Sequence, residues 1–212
     1  MDIAILLFDN FTALDAVGPY ETLSRVPGAK VTFVAAEPGL KRTDMGTLGL
    51  MADAALDDLA HPEIIVVPGG PGEMLPRAHQ PTLDWLRTAH ETSTWTTSVC
   101  TGSLILGAAG ILAGRRATSH WLALDVLASF GAEPTSERVV IDGKIVTAAG
   151  VSAGIDMGLT LAGLLAGDDA AKAIQLGIEY DPQPPFDAGS PDKAPAAIVQ
   201  FLRDSNRSYE LA

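Results

Sequence analysis

One cysteine, Cys100, is all this chain carries, so no disulfide can close within it and a reducing compartment is expected. Basic residues are scarce: 14 Lys and Arg stand against 26 Asp and Glu, leaving a net charge of −12. A surface of that sign repels phosphate backbones and anionic headgroups, which argues against nucleic acid or membrane as a partner. No apolar run approaches the ~20 residues of a membrane span. The opening MDIAILLFDN lacks a basic segment, and its apolar stretch is too short for a signal peptide. A soluble, cytoplasmic protein is therefore expected. The four histidines, His61, His79, His90 and His120, show no metal-site spacing. No glycine-rich segment matches a phosphate loop or a dinucleotide fingerprint. Neither metal nor cofactor is implied.

What the chain does have is apolar residues, 47% of its 212, enough for one sizeable domain with a real core. The short continuous apolar run IAILLF (3–8) reads as a strand buried on both faces, KVTFVAA (30–36) and WTTSV (95–99) as further strands, and EIIVVPGG (63–70) as a strand ending in a glycine turn. Helical patterns fall between them, at Pro19 to Val26 with Pro19 in the first turn, at 82–91 and at LALDVLASF. RVVIDGKIVTAAG reads as a hairpin turning at Asp142-Gly143, and residues 152–167 as a long apolar helix capped by Ser152. Strands alternating with helices predict an α/β fold: one flavodoxin-like domain over 1–212, a mostly parallel sheet with helices on both faces. The one compositional break is Pro-rich, residues 180–195, expected to be an extended surface arm before a final short helix.

Cys100 then falls between a predicted strand and a predicted helix, followed by the small residues Thr101, Gly102 and Ser103. A nucleophile elbow has this layout, and unpaired N–H groups at a helix start favour a thiolate. In such sheets ligands bind beyond the carboxyl ends of the strands, where Cys100 would lie. The alternative is a small core residue, the common state of free cysteine. After the first strand, Asp15 sits among Ala13, Leu14, Ala16 and Val17. Partial desolvation there would suit it to acid/base work, and a helix-capping role is the competing reading. Glu21 reads as a solvated first-turn residue. The loops PGGPG (68–72) and AAGVSAG (148–154) offer backbone N–H groups to a substrate. His120 reads as packing or capping, and Trp121 and Phe130 as core or pocket wall.

IIVVPGG, SVCTGSLILGAAGIL, GRRATSHW and GVSAGIDMGLTL together resemble the ThiJ/PfpI superfamily of cysteine-elbow proteins, over nearly the whole chain. Within it, LDAVGP, SVCTGS and EYDPQPPFDAGSPDKAP are most similar to the isocyanide hydratases. The resemblance implies Cys100 as nucleophile, Asp15 as general acid/base and Thr101 as a shaper of the site. It also implies Gly70 and Val151 as backbone donors, an isocyanide substrate, a thioimidate on Cys100 and a homodimer. The peptidase branch places His after the cysteine, where this chain has Thr101, so proteolysis and glyoxalase-type chemistry fit poorly. Two alternatives stay open. One is a small-molecule or oxidation sensor akin to the N-terminal half of AraC-type regulators, whose helix-turn-helix region has no counterpart in the closing FLRDSNRSYELA. The other is a deglycase- or amidase-like enzyme of the same superfamily.

Overall fold

The computed structural model describes residues 1–205; the last seven positions of the domain expected over 1–212 lie outside the described residues. The chain divides into two compact units, Met1–Ile178 and Glu179–Ala212.

The first unit runs β1 (Asp2–Leu6), α1 (Ala13–Leu23), β2 (Lys30–Ala35), β3 (Gly39–Arg42), β4 (Gly49–Ala52), β5 (Ala54–Ala55) and β6 (Ile64–Val67). It continues through α2 (Met74–Ala78), α3 (Gln80–Thr92), β7 (Trp95–Val99), α4 (Gly102–Ala108), β8 (Arg116–Ala117), α5 (Leu124–Ala128) and β9 (Glu133–Pro134). It closes with β10 (Val139–Asp142), β11 (Ile145–Ala148), α6 (Ala153–Ala166) and α7 (Asp168–Gly177). Seven strands form one sheet in the order β10-β11-β7-β6-β1-β2-β5. Every pairing is parallel except the β10–β11 hairpin at the edge. The apolar runs explain the centre: all four residues of β6 and of β11 are buried, as a strand covered on both faces requires. Two helix groups supply the cover, α1 with α6 and α7, and α2 through α5.

Several local expectations are corrected. Pro19 lies inside α1, which begins six residues earlier than its pattern indicated. An interior proline costs a helix ~3 kcal/mol, and tertiary packing outweighs it. A Cβ on Gly154 would lie 3.1 Å from Pro19 Cδ, and one on Gly18 3.2 Å from the Ile155 side chain, so α1 and α6 cross almost backbone to backbone. The β10–β11 turn is centred on Gly143-Lys144, one residue later than expected, because Asp142 pairs with Ile145. Gly143 takes the positive φ of 62° that the first central position of a II′ turn requires. The turn aims Lys144 at the end of α3, where its ammonium donates to the carbonyls of His90, Glu91 and Ser93. Ser152 makes no side-chain cap on α6; its hydroxyl accepts instead from Arg138 at 3.2 Å. The β3–β4 hairpin had no clear pattern in the sequence, since its side chains are mostly half-exposed.

In the second unit, residues 180–195 form neither helix nor strand and are largely exposed, and α8 (Ala196–Ser205) follows. Among the described residues no helix is long and apolar enough to cross a membrane.

Candidate active site

β7 ends at Val99 and α4 starts at Gly102, and Cys100 makes the turn between them with a left-handed φ of 58°. A non-glycine residue in that region stores roughly 1–3 kcal/mol of strain, which the surroundings hold in place. The Cys100 N–H donates to the carbonyls of Ala148 and Ala149 at 3.1 and 3.0 Å. Its carbonyl accepts from the hydroxyls of Ser103 at 3.2 Å and Ser119 at 3.1 Å. The tightness comes from glycine: a Cβ on Gly102 would lie 2.1 Å from the Val67 carbonyl oxygen, and one on Gly69 2.5 Å from the Thr101 nitrogen. Only hydrogen fits at either point.

Asp15 reaches the same place from α1. The Asp15 N–H donates to Thr12 O at 3.1 Å, and the Thr12 N–H to Gly69 O at 2.9 Å. The Gly69 N–H donates back to Asp15 Oδ2 at 2.9 Å. The other oxygen, Oδ1, is buried with no N–H or O–H partner, and the side chain that bears on this carboxyl is the Cys100 thiol. An unpartnered buried carboxylate oxygen is costly, a cost that protonation of the carboxyl relieves. Burial pushes the Asp15 carboxyl up to about 7, with the Asp44 charge acting in the same direction against the Gly69 N–H and the thiol.

The thiol departs from expectation. Burial and then the Asp15 carboxylate push the Cys100 thiol up, while the amides of Val151 and Thr101 pull it down. Desolvation of the anion outweighs the helix start, which belongs to a helix of only seven residues. Burial therefore favours the protonated form of both Cys100 and Asp15.

Thr101 and Gly70 are joined. The Gly70 N–H donates to Thr101 Oγ1 at 2.9 Å, and the hydroxyl lies 3.4 Å from Gly70 O. Gly70 has φ 131°, and a Cβ there would lie 2.4 Å from the Thr12 nitrogen. Val151, with φ 35°, turns its amide toward the sulfur. The structure brings Cys100, Asp15, Thr101, Gly70 and Val151 together, Asp15 on α1 and the other four in the turns after β6, β7 and β11.

His120 lies against Gly150, the neighbour of Val151. Its Nδ1 accepts the Leu122 N–H at 3.3 Å, and a Cβ on Gly150 would lie 2.7 Å from its Cδ2. Burial lowers its pKa, keeping the ring neutral. Trp121 lies 5.8 Å from the His120 ring, and Phe130 backs Gly107 under the Arg77 guanidinium. Glu21 is paired with Arg25 at 2.7 Å on the surface. Sequence reasoning passed over Ser119 and Asp44. Ser119 lies in the quoted ATSHW stretch, but nothing local marks its hydroxyl as a support for Cys100. Among the described residues no cluster of His, Cys, Asp and Glu could hold a metal ion.

The DJ-1/PfpI family profile matches residues 1–163. The chain belongs to the DJ-1/PfpI family. Among curated members and relatives, the isonitrile hydratase of Pseudomonas putida is 44% identical over 203 residues, 96% of this chain and 89% of that protein. The HTH-type transcriptional regulator CdhR of Pseudomonas aeruginosa is 36% identical over 117 residues, 54% of this chain and 34% of its own length. The crystal structure of a ThiJ/PfpI family protein from Pseudomonas syringae superposes with a TM-score of 0.95 at 39% identity, covering 98% of this chain and 86% of that one. The α/β architecture with its parallel sheet is thus that of the DJ-1/PfpI family across almost the whole chain.

Proposed function

We propose that this protein is a cofactor-independent isocyanide hydratase that converts isocyanides to N-substituted formamides. The observation that carries the reading is the Cys100–Asp15 pair: a nucleophile whose one side-chain proton partner is a carboxyl raised to about 7. The likeness to the P. putida isonitrile hydratase over 96% of the chain supports it.

An isocyanide carbon takes up a nucleophile and a proton at the same atom. Asp15 accepts the thiol proton as the Cys100 sulfur adds to that carbon, then returns the proton to it, giving the thioimidate R–N=CH–S. Asp15 takes a proton from water as the hydroxide adds to the thioimidate carbon, and passes that proton to the nitrogen. The C–S bond then breaks as Asp15 relays the remaining hydroxyl proton to the departing sulfur, releasing R–NH–CHO and regenerating the Cys100 thiol. The N–H groups of Thr101 and Val151, which already face the sulfur, stabilise it when it carries charge.

The test is direct. Purified protein is incubated with a small alkyl isocyanide while formamide is followed by NMR and the isocyanide band by infrared. Formamide formation abolished in Cys100→Ala is expected; no formamide above the buffer rate would overturn the proposal. The partial likeness to CdhR favours a second reading, a sensor domain, and that reading predicts isocyanide binding or Cys100 oxidation without turnover.

A further inference from the structure

The β3–β4 hairpin plays no part in the chemistry above, yet its tip is fastened to the loop that leads into α1 and Asp15. Thr43 is buried and forms a parallel bridge with Phe11. The Asn10 N–H donates to Arg42 O at 2.7 Å, and the Asp44 N–H to Phe11 O at 3.0 Å. The half-buried Asp44 carboxylate is itself doubly held: Oδ2 accepts from Thr12 Oγ1 and Oδ1 from the Met45 N–H, both at 2.8 Å. Thr12 is the residue whose N–H and C=O tie Gly69 to Asp15. A chain of hydrogen bonds therefore runs from the Asp44 carboxylate through Thr12 into the ring that holds the Asp15 side chain. Two titratable groups bear on Asp15: Cys100 from the turn after β7, and Asp44 from the hairpin tip.

We propose that Asp44 is a positioning residue for Asp15: latched by Thr12, its carboxylate fixes the start of α1 and disfavours a negative charge on Asp15, so that the Asp15 carboxylate is a base strong enough to take the thiol proton and return it. A neutral side chain would serve the hairpin turn equally well, since Asn makes the same local bonds as Asp. The catalytic part of this inference rests on the hydratase reading; the coupling between the two carboxyls does not.

Asp44→Asn separates charge from geometry. Its amide donates to Thr12 Oγ1 and its oxygen accepts the Met45 N–H, so the latch survives and only the charge is lost. The readout is the rate of Cys100 alkylation by iodoacetamide against pH. The doubly protonated pair is inert and the singly protonated pair reacts, so the rate rises as Asp15 titrates. In Asp44→Asn this rise is expected to move toward acid by about half a pH unit, a fair effect for one half-buried like charge. The acid limb of isocyanide turnover should move with it. A merely structural Asp44 would lower the melting temperature and leave the midpoint in place, which would overturn the proposal. Raising NaCl from about 0.05 to about 1 M should shift the midpoint the same way in wild type, and by less in Asp44→Asn, which has no Asp44 charge to screen. A midpoint indifferent to salt would equally overturn it. A shifted midpoint in a protein that forms no formamide would uphold the coupling and remove the hydratase reading.

Discussion

Replacing Asp15 by Asn distinguishes proton transfer from helix capping, and the structure sets the size of the effect. If Asp15 only shapes the start of α1, Asn serves nearly as well. If it moves the proton, Asn cannot, and positioned proton transfer is worth ~10²–10⁴-fold in rate. The same substitution has a stability signature of opposite sign. Asp15 is pushed from 3.8 up to about 7 by burial. Between those values the native state retains a proton that the unfolded chain has released, so wild-type stability declines as pH rises through the window. From pH 5 to 8 the decline from this group amounts to about 3 kcal/mol, at 1.36 kcal/mol per unit. Asn does not titrate and lacks this slope. Its oxygen can keep the Gly69 N–H, while its amide is left beside the thiol at a cost of roughly 1–3 kcal/mol. Urea denaturation at both pH values should therefore show Asp15→Asn losing stability relative to wild type at pH 5 and recovering by about 3 kcal/mol at pH 8. Removing the carboxyl also removes the group whose titration makes Cys100 reactive, so the rise in Cys100 alkylation rate near pH 7 should be absent from Asp15→Asn. Near-normal turnover, or a pH slope of stability equal to that of wild type, would refute the reasoning. Glu21→Gln is the control: its carboxylate pairs with Arg25 at the surface, and most activity should remain.

Cys100→Ser and Cys100→Ala should fold and fail to turn over isocyanide, and mass spectrometry of alkylated wild type should find one adduct, on Cys100; wild-type-like rates in either variant would remove the nucleophile. Gly102→Ala forces a methyl group to within 2.1 Å of the Val67 carbonyl; thermal melts should report a loss of 1–3 kcal/mol or more, and an unchanged melting temperature would contradict the elbow packing. The homodimer expected from the family resemblance is testable by light scattering at micromolar concentration, where a mass near 44 kDa, about twice the 22.0 kDa chain, is expected and a monomer mass would reject it.

Local sequence was enough wherever a structure depends on neighbours in the chain. The apolar runs IAILLF (3–8) and IIVV (64–67) are satisfied by strands with both faces covered, and β1 and β6 are such strands. SVCTGS placed Cys100 at a strand-to-helix turn because small residues must surround so tight a bend, and Gly102 against Val67 shows how tight. Tertiary structure decided what depends on distance and dielectric. Pro19 became helical because α6 packs against it, and Ser152 gave its hydroxyl to Arg138 instead of the helix end. Whether the thiol or the carboxyl holds the proton is not legible in LDAVGP or SVCTGS. It depends on burial of Asp15, on the Gly69 N–H 54 residues away and on Asp44 at a hairpin tip. Desolvation and Coulomb terms act through space, and only the folded chain sets those separations.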